Sequence, residues 1–576
     1  MIRFCCRLFF ILSYLWLPLH YAIANDDTAS DESRIEDIVQ DILNDDARDN
    51  QRQRAEDLES RSNYQTGTEL QQIPENVKVE SDRRCLKTRD LIFDGASLIS
   101  QEQLSSWQQE VRDAQCFSLG LLAKIVREVA NFYLTQGFIT SQPIKPRQDE
   151  QGRIVIPIVE GMLSSVSVTG GEFDVDTVYP NYQESPFNMR DLEQALEQIN
   201  RLRSLDYTSD LRPGKEYATS DIILRPTGRR DGRPWYGNIS YNNFNDPGTV
   251  SVSLGYDNPL GYLGSLNVSH SREWFNADRE SRSYSLRYGV PYGYSNFNAS
   301  YSVSTTKAEI PSVRQGVIVR KTKNQRVKAD WSMLHFRNQR STFSHYLSLT
   351  YADIDNETRF PGDILFVNEG ATEQITSADL GVRYSYIGRG KQFSVGLGYD
   401  TALKELGTEE NPSQILGDQV NELPDAHYGL WHLDMNFTKY FTPRNWFNSQ
   451  VVAQQSEDYL PNHKRFSIGG YYSVRGVENY VYSGNSGYYF RNTMSFRLPT
   501  APVFSGLNSI FTLGADMGEI LSDDRYPNRQ LTGLNMGLSL SYADITAKVD
   551  MGRTLYNSTY QPLGDLFFLG QLFWRF

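Results

Sequence analysis

Residues 533–542 read Gly-Leu-Asn-Met-Gly-Leu-Ser-Leu-Ser-Tyr, a stretch in which large apolar residues alternate with small or polar ones. A period of two predicts a β-strand with one apolar face and one polar face. The same alternation returns in about 16 runs from Trp235 to the last residue, with short and long connectors in turn. An even number of such strands is typical of an antiparallel barrel with lipid outside and water inside.

The composition favours a barrel and excludes a helical membrane protein. Hydrophobic residues make up 39% and aromatic residues 12% of the 576 residues. Beyond residue 24, no stretch approaches the roughly 20 apolar residues that a spanning helix needs. A barrel tolerates a polar average because only alternate side chains meet lipid, while aromatic residues collect at the two interfaces. The last strand ends in Phe576, and we expect this aromatic carboxy-terminal residue to be the signal for outer-membrane assembly.

The amino-terminal residues predict export from the cytoplasm. Arg3 and Arg7 lie beside an apolar run over residues 8–19, and Ala22-Ile23-Ala24 has the small residues of a cleavage site. This pattern is a secretory signal peptide and is too short for a membrane anchor. Residues 1–24 are therefore interpreted as a signal peptide.

Two cysteines, Cys85 and Cys116, remain after removal of the signal. An isolated pair in an exported chain predicts one disulfide, formed in an oxidising compartment such as the periplasm. Closing a loop of about 30 residues would add roughly 3 to 4 kcal/mol of stability in the chain-entropy estimate. Two free thiols are the alternative.

The segment over residues 25–60 is strongly acidic. It holds 13 acidic and 4 basic residues, a net charge of −9. A capping box of Ser33 and Glu36 precedes apolar residues at helical spacing, which predicts an amphipathic helix. These apolar residues are Ile35, Ile38, Val39, Ile42 and Leu43. A disordered acidic tail is the alternative. Residues 61–79 are polar, contain Pro74 and predict a linker.

Two small units of similar plan follow, over residues 80–161 and 162–233. Each begins with a predicted strand, continues with amphipathic helical segments and closes with two strands, a β-α-α-β-β-like order. In the first unit the longer helix covers residues 119–134 and stops at Gly137, and a strand is predicted over residues 138–142. Exposed strand edges on such units could accept an extended peptide by strand addition.

A barrel of this width leaves an aqueous channel unless something fills it. The connector around residues 457–485 contains Val474-Arg475-Gly476 in a glycine-rich context, which predicts a loop folded into the lumen. A buried guanidinium needs an anion. The candidate is Asp516, which lies between Gly514 and Gly518 on the predicted lumen face of its strand. We expect Arg475 and Asp516 to form a charge-assisted pair.

The segment from Ile468-Gly469-Gly470 through Val474-Arg475-Gly476, with the glycine spacing around Asp516, resembles the TpsB transporters of two-partner, or type Vb, secretion. This family includes ShlB, FhaC, HecB and CdiB-like proteins and belongs to the BamA superfamily. The resemblance implies a 16-stranded antiparallel transmembrane β-barrel over residues 234–576, preceded by two periplasmic POTRA domains and an N-terminal plug helix. It also implies that Cys85–Cys116 is a first-POTRA disulfide. Position 477 departs from the family, since it holds valine where an aromatic residue is usual.

The resemblance further implies an outer-membrane protein that secretes a large TpsA-type exoprotein, such as a haemolysin, an adhesin or a contact-dependent inhibition toxin. A barrel-assembly factor and a passive porin-like channel are the alternatives. The other expected partners are outer-membrane lipid, lipopolysaccharide and the barrel-assembly machinery, for a monomer that binds no nucleic acid. No catalytic, cofactor or metal site is expected: His427 and His432, for example, lie five residues apart without the acid of a zincin motif.

Overall fold

The structure is a computed structural model. It describes residues 85–576, apart from 172, 181, 183–184, 229–231, 244–247, 274–278, 313–315, 360–366, 369–371, 404–408, 412–426, 478–480, 500–505, 524–526 and 560–565. Three predicted segments precede residue 85. They are the signal peptide, the acidic helix with its five apolar residues, and the linker. These predictions therefore lie outside the described residues.

The first unit packs two helices on a small sheet. Its elements are β1 (Leu91–Asp94), α1 (Gln101–Asp113), α2 (Leu119–Gln136), β2 (Gln142–Pro143), β3 (Arg147–Gln148) and β4 (Ile154–Val159). β4 is central: it pairs parallel to β1 and antiparallel to β2 and β3. The helices cover the sheet with an apolar face that includes Ile125, Val129 and Tyr133, all fully buried.

The ends of α2 explain one departure from the sequence prediction. Ser118 caps the start, where its hydroxyl accepts a hydrogen bond from the backbone N–H of Leu121 at 3.2 Å. Gly137 ends the helix in the left-handed region at φ 95°, as glycine does at many helix ends. The backbone N–H of Phe138 then donates to the carbonyl of Tyr133 at 2.8 Å. The prediction of a strand over residues 138–142 was therefore wrong for residues 138–141, because the N–H of Phe138 closes the helix and β2 begins only at Gln142.

The disulfide joins the segment before β1 to the start of α2. Cys85 and Cys116 are bonded, with their Cα atoms 5.3 Å apart. Cys85 also forms an isolated bridge with Ser118, and the backbone N–H of Leu86 donates to the carbonyl of Phe117 at 2.8 Å. The crosslink therefore anchors the described beginning of the chain to the first unit.

The second unit has one α-helix among its described residues. It consists of β5 (Met162–Val168), a 3-10 turn (Val175–Thr177), α3 (Met189–Asn200), β6 (Tyr207–Pro213) and β7 (Thr219–Pro226). The amphipathic helix predicted in this unit is present as α3, whereas the second helix of the β-α-α-β-β-like plan is absent from the described residues. Pro180 and Pro186 interrupt the segment before α3, and proline inside a helix removes a hydrogen bond and clashes with the preceding turn. β7 lies between β5 and β6, so β5 and β6 are edge strands.

The remainder of the chain closes into an antiparallel barrel. Sixteen long strands form its wall, and two short strands, β15 (Val367–Asn368) and β18 (Glu409–Asn411), pair beside them. The wall strands are β8 (Trp235–Asn242), β9 (Thr249–Asp257), β10 (Ser265–Glu273), β11 (Arg279–Tyr292), β12 (Ser295–Ser312), β13 (Gly316–Arg337), β14 (Ser341–Arg359), β16 (Thr372–Gly388), β17 (Lys391–Ala402), β19 (Gly429–Thr442), β20 (Asn445–Gln455), β23 (Gly487–Arg497), β24 (Asn508–Ile520), β25 (Arg529–Tyr542), β26 (Ile545–Asn557) and β27 (Phe567–Arg575). The expectation of a 16-stranded barrel after two small α+β units is confirmed.

Exposure alternates along the wall as the sequence predicted. On β25, Leu534 and Met536 are exposed to 43% and 42%, whereas Asn535 between them is 5% exposed. Large apolar side chains thus cover the outside, and small or polar ones line the lumen, which is the pattern of a membrane barrel. No helix in the described residues is both long and apolar enough to cross a membrane.

Phe576 lies at the seam where the barrel closes. β27 pairs with β8, and Gly237 and Phe576 exchange two backbone hydrogen bonds of 2.9 and 3.0 Å. A Cβ on Gly237 would stand 2.6 Å from the ring of Phe576, so glycine at this position leaves room for the terminal ring. The last residue is therefore part of the closing strand pair.

Candidate functional site

The connector between β20 and β23 folds into the barrel. It contains a two-stranded hairpin of β21 (Phe466–Ile468) and β22 (Tyr482–Gly484), in which Phe466 pairs with Gly484. Between these strands the chain turns at Gly469 and Gly470, with φ values of 106° and 79°. L-residues other than glycine rarely adopt this conformation. We call residues 466–477 together with 481–484 the inward loop.

Arg475 stands at the tip of the inward loop and pairs with Asp516 on β24. Its Nε donates to Oδ2 at 2.7 Å and its Nη2 donates to Oδ1 at 2.8 Å. The backbone N–H of Arg475 also donates to Oδ2, at 3.0 Å. Two parallel bonds from one guanidinium fix the orientation as well as the distance of the pair. The structure therefore brings together the two residues that the sequence reasoning selected.

The pair is buried and further hydrogen-bonded. Arg475 is 8% exposed and Asp516 only 1%. Nη2 of Arg475 donates to the hydroxyl of Thr493 at 2.8 Å, and Oδ1 of Asp516 accepts the backbone N–H of Asn492 at 3.1 Å. Buried ions are tolerated when their remaining hydrogen-bonding groups find such partners, and removal of one partner is costly. The inward loop is thus tied to β23 and β24 by a buried pair whose hydrogen-bonding groups are satisfied.

Glycines on the wall make room for the inward loop. A Cβ on Gly514 would lie 2.9 Å from Nη2 of Arg475, and one on Gly518 would lie 2.8 Å from the side chain of Val474. Two further glycines, Gly533 on β25 and Gly552 on β26, were not identified from the sequence. A Cβ on Gly533 would stand 2.1 Å from the carbonyl oxygen of Arg475, and one on Gly552 would stand 2.8 Å from the Cα of Gly476. The tip therefore lies in a slot across three strands.

Gly476 occupies the narrowest part of this slot. Its φ is 92°, and an added Cβ would lie 2.4 Å from the carbonyl oxygen of Leu534 and 2.8 Å from that of Arg553. Its own carbonyl accepts a hydrogen bond from the hydroxyl of Thr554 at 3.0 Å. Both the backbone conformation and the space at this position require glycine.

An apolar cluster surrounds the base of the inward loop. Val474 and Val477, 0% and 1% exposed, pack with seven other buried side chains of the loop and the wall. The others are Val452, Phe466, Ile468, Tyr482, Tyr489, Ile520 and Leu531. Tyr482 donates its hydroxyl to Asn557 at 2.9 Å. Position 477 therefore contributes an aliphatic side chain to the cluster. The aromatic rings of the cluster come from Phe466, Tyr482 and Tyr489.

Several polar lumen residues that hold this arrangement escaped the sequence reasoning. Lys548 donates to the hydroxyl of Tyr471 at 2.5 Å, and Arg491 donates to the carbonyl of Tyr472 at 3.2 Å. In the connector before β21, Lys464 pairs with Asp400 of β17 at 2.7 Å. The one available signal was a charged residue among small ones on the lumen face of a strand. That signal does not identify a partner, because the partners lie on distant strands.

A second buried ion pair spans the wall elsewhere. Arg383 on β16 and Asp434 on β19 lie 3.0 Å apart, exposed to 6% and 2% in their side chains. They meet across Gly396 of the intervening strand β17, where a Cβ would stand 2.5 Å from the carboxylate. Glycine in a wall strand therefore allows side chains two strands apart to pair inside the lumen.

The second POTRA-like unit is docked on one part of the barrel rim. Gln194 donates to the carbonyl of Gly293 at 3.1 Å, and Gly293 donates its N–H to Thr177 at 2.8 Å. Ser204 donates its backbone N–H to Asp257 at 2.8 Å. Leu263, from the turn between β9 and β10, is fully buried in the core of this unit. The short turns near these residues therefore face the same side as the two small units.

Two charged contacts reinforce this docking. Arg337 at the end of β13 forms an ion pair with Glu197 of α3. Tyr294, in the turn between β11 and β12, donates its hydroxyl to Asp191. Burial raises the pKa of Asp191, whereas the hydrogen bond from Tyr294 acts in the opposite direction. The second unit is thus fixed to the rim by polar as well as apolar contacts.

The described residues hold no group of three or more His, Cys, Asp or Glu side chains arranged to bind a metal ion. The site is therefore a set of buried ion pairs, glycines and apolar side chains that positions a loop inside a channel.

The comparisons with known proteins agree with this arrangement. The pattern of the haemolysin secretion/activation protein ShlB/FhaC/HecB family matches residues 219–540, and POTRA patterns match residues 86–161, in a ShlB-type form, and 166–213. The outer membrane transporter CdiB of Escherichia coli is 26% identical over 485 residues, 82% of this chain and 79% of that protein. The hemolysin transporter protein HpmB of Proteus mirabilis is 26% identical over 513 residues, 84% and 85% of the two chains.

The solved structure of CdiB from Escherichia coli has the same fold, with a TM-score of 0.78 at 24% identity, and the match covers 96% of this chain and 100% of that one. The family pattern covers more than half of the chain. Its members are transporters rather than enzymes, located in the bacterial outer membrane, and each implies a partner exoprotein. The chain belongs to the haemolysin secretion/activation protein ShlB/FhaC/HecB family and is a TpsB-type outer-membrane transporter with POTRA domains.

Proposed function

We propose that this transporter secretes a large haemolysin-, adhesin- or toxin-type exoprotein through its barrel lumen and that the inward loop keeps the lumen closed at rest. The observation that carries the proposal is the buried Arg475–Asp516 pair. It holds a loop within the lumen of a barrel that is otherwise wide enough for a channel. Among these client types, the similarity to HpmB, a hemolysin transporter protein, favours a haemolysin-type client.

The two POTRA units are proposed to receive the unfolded client in the periplasm. The edge strand β6 of the second unit and the edge strand β1 of the first have one side without a partner strand in the described sheets. The edge strand β5 is bridged at Met162 by Pro186 and is open only beyond that point. An extended chain can add to such an edge through main-chain hydrogen bonds. Docking of the second unit on the rim then places the bound client near the lumen.

The acidic segment over residues 25–60 is proposed to act as a second closing element, a plug helix with Ile35, Ile38, Val39, Ile42 and Leu43 on its apolar face. Its net charge of −9 complements the cationic side chains of the lumen wall, which include Lys548 on β26. In this proposal the chain acts as a monomer. It contacts phospholipid and lipopolysaccharide through its outer face, and the barrel-assembly machinery recognises Phe576.

Secretion of a co-expressed candidate exoprotein tests the proposed function. We expect a haemolysin- or toxin-type client to accumulate in the medium of a bacterial host only when this transporter is present. Client in the medium is measured by immunoblotting, with a periplasmic enzyme as the control for leakage. Retention of every tested client of these types in the periplasm, with the barrel correctly inserted, would contradict the proposal.

Deletion of residues 33–59 is expected to raise the ion conductance of the purified protein in planar bilayers while most secretion remains. The reason is that removal of a plug opens an aqueous path, whereas capture and transport depend on the POTRA units and the lumen. A matched control replaces these residues by a glycine–serine linker of equal length. An unchanged conductance in both variants would argue against a plug in this segment.

A further inference from the structure

The part of the rim that the second POTRA unit leaves uncovered carries a row of arginines. The turns after β13, β16 and β19 contain Arg340, Arg389 and Arg444, and β23 ends at Arg497. Backbone hydrogen bonds connect these neighbours: Arg340 accepts from Ile387 at 2.8 Å, and Arg444 accepts from Arg497 at 2.8 Å. All four arginines are exposed. Successive turns therefore present one positive edge.

Two lysines extend this edge onto the outer face of the barrel. Lys391 at the start of β17 lies directly opposite Lys439 on β19, and the next outward pair is Phe393 with Phe437. Leu397, farther along the same face of β17, is 44% exposed, as expected for a side chain that meets lipid. With a period of two, Lys391 also faces outward, away from the lumen.

Like charges directly opposite on neighbouring strands destabilise a sheet. In the part of the chain that the structure describes, Lys391, Lys439, Arg389 and Arg444 make no side-chain hydrogen bond or ion pair. By comparison, the guanidinium of Arg337 at the POTRA contact is paired with the carboxylate of Glu197. The lysine pair is therefore an unneutralised positive site at which an anion from outside the protein would relieve repulsion.

Aromatic rings place the cluster at the depth of the lipid headgroups. Phe447 on β20 lies directly opposite Lys439 on the outer face, next to the outward pair of Phe393 and Phe437. Aromatic side chains form girdles at the two interfaces of a membrane barrel. Clusters of lysine and arginine at this depth attract anionic lipids, and guanidinium groups match the geometry of phosphate.

We propose that Lys391 and Lys439, together with Arg389 and Arg444, bind the phosphate headgroups of anionic phospholipids in the periplasmic leaflet. The outward direction of both lysines favours lipid over an acidic client segment, which would travel through the lumen. Binding would hold this part of the rim at a fixed depth, farther along the wall from the strand ends that the second POTRA unit holds through Glu197 and Asp191.

The test uses the full-length protein in a nonionic detergent, titrated with phosphatidylglycerol or with zwitterionic phosphatidylethanolamine, and counts bound lipid by native mass spectrometry. The double variant Lys391→Gln/Lys439→Gln is expected to bind phosphatidylglycerol on the order of tenfold more weakly, since each cation contributes several-fold to such binding. Lys391→Arg/Lys439→Arg is expected to retain it. Arg212→Gln/Lys215→Gln, a change of equal charge at exposed positions of the second POTRA unit, is the matched control.

Phosphatidylethanolamine is expected to bind weakly and equally to all four proteins, and added salt is expected to weaken the binding of phosphatidylglycerol to the wild type. Equal affinity of the glutamine variant and the wild type for phosphatidylglycerol would overturn the proposal. So would equal competition by inorganic phosphate, which would indicate a site for a free anion. Polyglutamate serves as a probe for acidic polypeptides. If the glutamine variant lost affinity for polyglutamate more than for phosphatidylglycerol, the proposal would be overturned in favour of an acidic polypeptide. Heat-dependent migration in SDS gels verifies that each variant is a folded barrel.

Discussion

Replacement of Arg475 by alanine is expected to impair secretion while the barrel still inserts and folds. The substitution leaves the carboxylate of Asp516, only 1% exposed, without its cation. Breaking a buried pair in this way costs about 3 to 5 kcal/mol. The loss also removes the hydrogen bonds to Thr493 and to the backbone of β23. We therefore expect the inward loop to leave its position against the lumen face of β23 and β24.

Two measurements check this prediction. Client protein in the medium reports transport, and proteolysis at residues 466–477 reports the position of the loop. Arg475→Lys keeps the charge but not the two parallel bonds, so we expect an intermediate result. Arg475→Ala/Asp516→Ala removes both partners and is expected to be less destabilised than Arg475→Ala, because no charge is left buried alone. Normal secretion by Arg475→Ala would show that the pair has no role in transport.

Gly476→Ala is expected to displace the loop tip almost as strongly, although it removes no charge. The residue has φ 92°, a conformation that costs an L-residue about 1 to 3 kcal/mol. The added Cβ would also lie 2.4 Å from the carbonyl of Leu534 and 2.8 Å from that of Arg553. Both contacts are to backbone of the barrel wall, which cannot move without breaking strand pairing. We expect loss of secretion and increased proteolysis of the loop.

Gly506→Ala is a matched control for this second prediction. Gly506 has a similar φ of 97°, but the nearest atom to an added Cβ is the ring of Tyr542 at 3.5 Å, an ordinary contact. Backbone strain is therefore comparable, and the collision with the wall is absent. We expect Gly506→Ala to retain secretion. Equal defects in the two variants would mean that strain alone, and not the slot around the loop tip, explains the effect of Gly476→Ala.

Much of the fold followed from the sequence because alternation is a local property of the chain. Along β25 every second residue is large and apolar, which assigns one face to lipid before any strand pairing is known. The same reasoning placed Asp516 between Gly514 and Gly518 on the lumen face. A buried arginine requires an anion, and this requirement led from Arg475 to Asp516, 41 residues away in the chain.

The sequence failed where neighbours in space are far apart in the chain. Gly533 and Gly552 form the slot for the loop tip, but in the sequence they do not differ from many other single glycines on predicted strands. The pairing of Arg383 with Asp434 requires that Gly396 lie between them, and this depends on the register of three strands. In the second POTRA unit, prolines replaced an expected helix, while Phe138 in the first closed a helix instead of starting a strand.

The sequence by itself thus determined the membrane-facing pattern, the barrel, the two small units before it and the Arg475–Asp516 pair, since each depends on periodicity or on the cost of a buried charge. Only the tertiary structure decided the slot of glycines, the docking of the second POTRA unit on the rim and the alignment of Lys391 with Lys439. The physical reason is that barrel closure and strand register bring together residues whose separation along the chain carries no signal of their contact.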